Sequence, residues 1–260
     1  MSNSKLYDAM LALRDDRQAQ TLSRFFKTGK GEYGEGDRFL GIKVPVTRGV
    51  VKELWRSTTR DELLECLTSP WHELRLAALL TLIEQYRHSR DEEYRSGCIE
   101  LYLDAAHGRL PSPNPRLSYV DNWDLVDLSC YCLLGDWLLT RDRGMLGDMA
   151  GEGNNLWVRR IGMVSTMAFL RHGELDDTYT IADIFLLPQG DGQPLHDLLQ
   201  KATGWLLREA GKRDTPRLTE WLQDRAPHGN MPRAAAMPRT MLRYAIERLP
   251  ETTRKNIMTL

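Results

Sequence analysis

Aromatic rings stand beside charged side chains at four places in an otherwise ordinary helical pattern. The four segments are Phe25-Phe26-Lys27, Trp123-Asp124-Leu125-Val126-Asp127, Trp157-Val158-Arg159-Arg160 and Gly204-Trp205-Leu206-Leu207-Arg208. The face of a tryptophan attracts cations and stacks on sugars and bases, a carboxylate stabilises developing positive charge, and an arginine binds phosphate. Together these groups suit chemistry on a positively charged base of DNA.

Trp123 and Asp127 are four residues apart, so on a helix they lie one above the other on the same face. Such a pair can flank one bound group. The alternative is a core tryptophan beside an aspartate that makes a hydrogen bond on the helix surface. Asp124 follows Trp123 directly and points away from it, and a place at the N-terminal end of the helix dipole is enough to explain it.

Trp205 lies on a cationic helix face, because Lys201 precedes it by four residues and Arg208 follows it by three. A core tryptophan would more often have leucines at these positions. Arg160 lies on a helix face that is otherwise apolar, which suggests a guanidinium held in one direction. The alternatives are a solvated surface arginine for Arg208 and an intramolecular ion pair for Arg160.

The net charge of −1 hides an uneven distribution along the chain. Residues 201–260 hold twelve Lys and Arg against six acidic residues, a net of +6, and residues 24–60 hold nine against four, a net of +5. The remainder of the chain therefore carries −12. Two basic segments on an acidic body suit a DNA-binding groove, although basic runs are more often only solvated helix faces.

The four cysteines, Cys66, Cys98, Cys130 and Cys132, and the six histidines show no Cys-x-x-Cys or His-x-x-x-His spacing. We predict buried free thiols in a reducing compartment, and no metal. The first twenty residues lack the apolar core of a signal peptide, and the longest apolar run, residues 76–83, is too short to span a bilayer. We therefore expect a cytoplasmic protein without membrane contact.

Apolar residues recur at intervals of three and four almost everywhere, and strand signals are nearly absent, so we predict an all-α fold. Three helices are predicted to hold residues 74–84, 99–105 and 157–168, and breaks are predicted at 68–70, 107–115, 151–154, 188–194 and 226–238. Roughly a dozen helices in antiparallel pairs, repeating about every 40 residues, match the period of HEAT-type solenoids. We expect one elongated domain, residues 1–260, whose concave groove fits duplex DNA.

One segment breaks the helical pattern. Residues 29–36 hold four glycines in eight positions, and residues 39–45 then lead to a helix predicted to begin near Val46. A glycine-rich loop before a helix can bind phosphate, but the sequence has neither a GxGxxG after a strand nor a Walker motif. We therefore do not expect ATP binding.

These motifs together resemble the AlkD-type DNA alkylation repair family of HEAT-like DNA glycosylases, and the similarity covers most of the chain. Its anchors are Arg24-Phe25-Phe26-Lys27, Phe39-Leu40-Gly41-Ile42 with Pro45 and Arg48, Asn122-Trp123-Asp124-Leu125-Val126-Asp127, Leu156-Trp157-Val158-Arg159-Arg160, and residues 200–209. The resemblance implies removal of positively charged N3- or N7-alkylated purines from duplex DNA. It also implies that the reaction needs no metal or other cofactor and proceeds without base flipping.

The resemblance implies three catalytic residues. Trp123 would pack against the sugar of the damaged nucleotide, and Trp205 would form the second wall of an aromatic cleft. Asp127 would lie at the anomeric carbon, where it stabilises positive charge and positions a water. The residues expected to contact double-stranded DNA, with Arg160 on a phosphate of the lesion strand, are Phe25, Lys43, Arg48, Arg160, Lys201 and Arg208. We expect the protein to act as a monomer.

This chain departs from the family pattern at two places. Phe25 stands where characterised members can have a tyrosine, which keeps the ring for stacking but loses a hydrogen bond to DNA. The glycine-rich insertion also distinguishes the chain from shorter members, and its Tyr33 would either reach DNA or cap the first helix.

Two other functions are compatible with a helical repeat. One is a non-catalytic HEAT-like protein that binds bent or branched DNA, and the other is a scaffold for proteins. The joint presence of Trp123, Asp127, Arg160 and Trp205 favours the glycosylase over both.

Overall fold

The computed structural model describes residues 4–112, 115–190, 192–225 and 236–259. Within these ranges the chain forms sixteen α-helices and two short 3-10 helices, and no β-strand. The nearest approach to a sheet is one isolated bridge between Arg38 and Trp71. The predicted all-α fold is confirmed.

The chain divides into two compact units, Met1–Ser129 and Cys130–Leu260. The described helices of the first unit are α1 (Lys5–Leu11), α2 (Asp16–Phe25), α3 (Val44–Leu54), α4 (Arg60–Leu67), α5 (His72–His88), α6 (Glu92–Ala106) and α7 (Trp123–Ser129). Those of the second unit are α8 (Leu134–Trp137), α9 (Gly144–Ala150), α10 (Leu156–Ser165), α11 (Met167–Arg171), α12 (Asp176–Leu186), α13 (Asp197–Gly211), α14 (Thr215–Arg225), α15 (Arg239–Ile246) and α16 (Glu251–Thr259), with 3-10 helices at Cys130–Cys132 and Leu138–Thr140. The solenoid, its concave groove and the single elongated domain stay predictions.

Side-chain caps fix where several helices of the first unit begin. Asp15 and Asp91 each accept hydrogen bonds from two backbone amides, in the first turns of α2 and α6 respectively. Thr59 and Glu62 form a reciprocal capping box at the start of α4. These side chains satisfy amides that have no partner within the helix, so the local sequence sets these boundaries.

The core of the first unit is built around α5, which packs against α1, α3, α4, α6 and α7. Every side chain from His72 to Ile83 is buried, and this helix confirms the one predicted at residues 74–84. The helix predicted at residues 99–105 is confirmed within α6. The first turn of α5 also buries His72, Glu73 and Arg75, and buried charges require partners.

The third predicted helix, residues 157–168, is interrupted at Thr166, so α10 ends at Ser165 and α11 begins at Met167. The hydroxyl of Thr166 donates to the Met163 carbonyl at 2.8 Å and accepts from the hydroxyl of Thr178 at 2.9 Å. A threonine that bonds back to the preceding turn competes with the helical hydrogen bonds. Apolar periodicity continues through the break, which is why the prediction missed it.

The predicted breaks at 68–70, 107–115, 151–154 and 188–194 all fall between helices, and the last, 226–238, lies largely outside the described residues. The helix predicted from Val46 begins at Val44. The four cysteines are buried and free, as predicted. None of the helices in the described ranges is long and apolar enough to cross a bilayer.

Candidate functional site

The glycine-rich segment folds into a tight turn that leads the chain to Asp37. The amide of Gly31 donates to the carboxylate of Glu35 at 2.7 Å, so the turn satisfies that donor internally. A Cβ at Gly34 would lie only 2.5 Å from the carbonyl oxygen of Phe26, so only glycine fits there. Tyr33 lies in this turn, and its contact with DNA stays untested.

Asp37 and Asp124 hold the imidazole of His72 from two sides. His72 Nδ1 lies 2.8 Å from Oδ2 of Asp37, and Nε2 lies 2.9 Å from Oδ2 of Asp124. All three side chains are buried. Burial by itself would lower the pKa of His72, but the carboxylates of Asp124 and Asp37 outweigh it and raise the pKa to about 10. The two carboxylates therefore favour the imidazolium form of His72 at neutral pH.

Arg75 extends this ion network by one turn of α5. Its Nη2 lies 2.6 Å from Oδ1 of Asp37 and 3.1 Å from Oδ1 of Asp121, and Arg116 pairs with the other oxygen of Asp121. Burial would raise the pKa of Asp37, but Arg75 and His72 outweigh it and hold that pKa below its ordinary value. Including Asp124, the network has three cations and three carboxylates, so its charges balance.

The same network holds the start of α7. Asn122 is buried, its Oδ1 accepts a hydrogen bond from the Trp123 amide at 2.9 Å, and its side-chain nitrogen lies 3.4 Å from Oδ2 of Asp37. In the first turn of α7, Asp124 bonds to His72. From the sequence, Asp124 is predicted only to interact with the helix dipole. In the structure it also has a buried ionic partner, His72.

Glu73 holds the segment that leads into α3. Its two carboxylate oxygens accept hydrogen bonds from the amides of Leu40 at 2.8 Å, Gly41 at 2.9 Å and Ile42 at 3.1 Å. Gly41 has a φ of +89°, and a Cβ there would collide with the carbonyl oxygen of Asp15 at 2.0 Å. Glu73 and Gly41 therefore fix the path of the backbone from Phe39 to Lys43.

Four rings form a continuous stack next to this network. The ring of Trp123 stacks on Phe26 with centroids 5.3 Å apart, Phe26 stacks on Phe39 at 5.0 Å, and Phe39 stacks on His72 at 4.6 Å. Phe25 meets Trp123 edge to face at 5.9 Å and is 62% exposed. Phe26 therefore packs against one face of the Trp123 ring, and the exposed ring of Phe25 lies at its edge.

A largely apolar cavity of about 400 Å³ opens beside the stack. Trp123 and Asp127 line it from α7, Phe25 lines it from α2, and Lys43 lines it at the start of α3. The structure therefore brings together four of the predicted site residues. Arg48 is exposed on α3 and does not line this cavity.

Arg160 lies in the second unit, on α10. It is 5% exposed, and its guanidinium donates a hydrogen bond to the carbonyl of Leu198 in the first turn of α13. The predicted fixed guanidinium is thus present, held against a backbone carbonyl. Its contact with a DNA phosphate stays a prediction.

Trp205 is half-buried on α13. A Cβ at the preceding Gly204 would lie 2.5 Å from backbone and side-chain atoms of α15, so glycine lets the two helices approach closely. The two predicted phosphate ligands of this helix, Lys201 and Arg208, form ion pairs with Asp197 and Glu247, respectively. The roles of Trp205, Lys201 and Arg208 at DNA stay predictions.

Sequence reasoning missed the residues that support the site. Asp37, His72 and Glu73 belong to no sequence motif, because their contacts join chain segments more than thirty residues apart. Asn122 opens one of the anchor motifs, but its contact with Asp37 could not be predicted from it. One available signal was the cluster of His72, Glu73 and Arg75 at the start of the helix that holds the long apolar run of residues 76–83. Charges at buried helix positions indicate partners elsewhere in the fold.

The comparisons with known proteins agree with this picture. The model of the family described as DNA alkylation repair enzyme matches residues 6–249. A solved structure of a predicted DNA alkylation repair enzyme from Enterococcus faecalis is similar in fold, with a TM-score of 0.64 and 15% identity over 92% of this chain and 97% of that one. No curated protein matches the chain. Because the family model spans nearly the whole sequence, the chain belongs to the DNA alkylation repair enzyme family.

Proposed function

We propose that the protein is a DNA glycosylase that hydrolyses the N-glycosidic bond of positively charged N3- or N7-alkylated purines in duplex DNA. The observation that carries the proposal is the arrangement of α7. Its start is fixed by a buried ion network, and Trp123 and Asp127 line an apolar cavity beside an exposed ring. This is an aromatic surface for a sugar or base with a carboxylate next to it.

The chemistry of these lesions requires few catalytic groups. Alkylation at N3 or N7 gives the purine a positive charge, so the base leaves as a neutral molecule and needs no general acid. The sugar then carries the developing positive charge. Asp127 would stabilise that charge and position the water that completes hydrolysis, while Trp123 packs against the sugar. Trp205 would supply the second aromatic wall.

The charges around the cavity support a cationic substrate. Asp127, Asp124 and Glu73 line it, and the two lining cations are Lys43 and His72. The charge of His72 is partly balanced by Asp37, and the charge of Lys43 is screened by solvent because its side chain is exposed. The electrostatic field inside the cavity therefore favours a positively charged ligand. A cationic base would in addition gain cation–π attraction from Trp123, worth about 0.5–2 kcal/mol.

Contacts to the DNA backbone would come from the basic segment of residues 24–60. Lys43 and Arg48 are both exposed. Lys43 directly precedes α3 and lines the cavity, while Arg48 lies on α3 outside the cavity lining. In the second unit, Lys201 and Arg208 would exchange their carboxylate partners for phosphates. We propose that double-stranded DNA is bound by a single copy of the chain.

A single-lesion excision assay tests the proposal. A duplex carrying one 7-methylguanine is incubated with the protein, and released base and abasic sites are measured against spontaneous depurination without protein. We expect release of 7-methylguanine, and no release of uracil from a matched duplex, because uracil lacks a cationic leaving group. Binding to bent or branched duplex without any release would instead support the non-catalytic DNA-binding protein.

A further inference from the structure

His72 makes two contacts that a neutral imidazole cannot satisfy. Each of its ring nitrogens lies within 2.9 Å of a carboxylate oxygen, one from Asp37 and one from Asp124. A neutral imidazole has a single N–H donor and would leave one carboxylate facing a lone pair. The geometry therefore calls for the doubly protonated ring, and the raised pKa of His72 agrees with it.

The position of these contacts ties His72 to the proposed reaction. Asp124 lies directly after Trp123 and three residues before Asp127, in the first turn of a helix of only seven residues. His72 also stacks on Phe39 and lines the same cavity. An ionic contact at Asp124 therefore acts on the turn of α7 that carries Trp123 and leads to Asp127.

We propose that His72 is a positioning residue whose positive charge fixes the first turn of α7, and so holds Trp123 and Asp127 in their reactive geometry. This inference rests on the glycosylase function proposed above. His72 itself touches no substrate in this scheme; it acts through Asp124.

The surroundings of His72 show why the charge matters. Asp37 faces it from the loop and Asp124 from α7, while on its own helix Arg75 bonds to Asp37 and Glu73 is occupied by the amides of residues 40–42. Without the imidazolium, Asp124 would lose its contact with a cation, and Asp37 would keep only Arg75, which already pairs with Asp121. A buried carboxylate that loses its cation either takes up a proton or moves toward water, and both responses disturb the first turn of α7.

The first test uses the unaltered protein and needs no activity. Nitrogen-detected NMR of histidine rings at pH 8.5 distinguishes imidazolium from neutral imidazole. We expect one of the six histidines to remain doubly protonated, since a histidine of ordinary pKa is neutral at this pH. If every imidazole is neutral at pH 8.5, the inference is wrong.

The second test separates positioning from folding. H72Q should lower the single-turnover excision rate for 7-methylguanine at least tenfold, while duplex affinity stays within twofold. Adding D124N to H72Q should not lower the rate further, because His72 acts through Asp124. His88, exposed on the same helix, provides the matched control H88Q.

Each outcome decides something. An unchanged rate in H72Q overturns the inference while leaving the glycosylase proposal intact. Should H72Q fail to fold, D124N alone carries the test, and an unaltered excision rate in D124N overturns the inference. If the unaltered protein excises nothing, the proposed function fails first and the inference fails with it.

Discussion

Glu73 Oε1 accepts a hydrogen bond of 2.9 Å from the amide of Gly41, a residue whose backbone lies in the left-handed region with φ at +89°. The second oxygen, Oε2, accepts from Leu40. One buried carboxylate thus holds the backbone that presents Phe39 and Lys43 to the cavity. It does so with charge-assisted hydrogen bonds, which are stronger than neutral ones.

We expect Glu73→Gln to destabilise the protein by about 2–4 kcal/mol, because the new NH2 group would face the Leu40 amide and leave two donors opposed. Urea denaturation measures the loss. Glu65→Gln is the control, since Glu65 is exposed on α4. Equal stability of the two variants would show that the carboxylate is not required.

Asp127 is predicted to act on charge that develops in the transition state. Asp127→Asn should therefore cut the excision rate by on the order of 100-fold or more and leave duplex affinity within a few fold. Single-turnover kinetics and a binding titration measure the two effects. Asp61→Asn, at an exposed position of α4, is the control, because Asp124 is bonded to His72 and would not give a neutral comparison. Full activity of Asp127→Asn, or an equal loss of rate and binding, would remove Asp127 from its role.

Phosphate contacts can be counted from the dependence of affinity on salt. Lys43→Ala and Arg48→Ala should each flatten the plot of log affinity against log salt by about one unit, since each removes one released counter-ion. The same change is predicted for Arg160→Ala. If the slope for Arg160→Ala equals that of the unaltered protein, its guanidinium makes internal contacts, such as the bond to Leu198, and binds no phosphate.

The stability of the fold should depend on pH through His72. Its pKa in the folded protein is about 10, above the ordinary value of 6.5, so the stabilising contribution is complete below pH 6.5 and is lost as pH rises through 10. Between pH 7 and 8.5 we expect the free energy of unfolding to fall by about 2 kcal/mol. Urea denaturation across this window measures it as the difference from His72→Gln, because unfolded thiols begin to ionise near pH 8.5 and lower the stability of both proteins. The same pH dependence in both proteins would argue against an imidazolium.

The non-flipping mechanism predicts tolerance of bulky lesions. If catalysis acts through the sugar and the charge of the base, the protein should excise both small and bulky N3- or N7-purine adducts. Free alkylated base should inhibit poorly, because the base itself is hardly bound. A 2-aminopurine beside the lesion reports unstacking. A strict size limit together with a large rise in fluorescence would show that the base is extruded.

The sequence predicts the helices and part of the site, and it does so for local reasons. Trp123 and Asp127 line one cavity because a spacing of four residues puts them on one helix face. Phe25 and Lys43, which the family resemblance predicts to contact DNA, line the same cavity.

What the sequence could not predict depends on contacts between distant segments. Asp37 meets His72 across 35 residues and Asn122 across 85, and no periodicity encodes such pairs. Asp124 was assigned to a helix dipole because its partner lies 52 residues away. The break at Thr166 depends on a hydroxyl bond that apolar periodicity does not register.

The shortness of α7 has a consequence for how activity relates to folding. A helix of seven residues does not persist by itself in water, so its geometry exists only while distant side chains hold it. Those side chains come from the loop at Asp37 and from α5, the helix at the centre of the first unit. If the proposed activity is correct, excision and cooperative folding should therefore be lost together, and a partly unfolded chain should release no alkylated base.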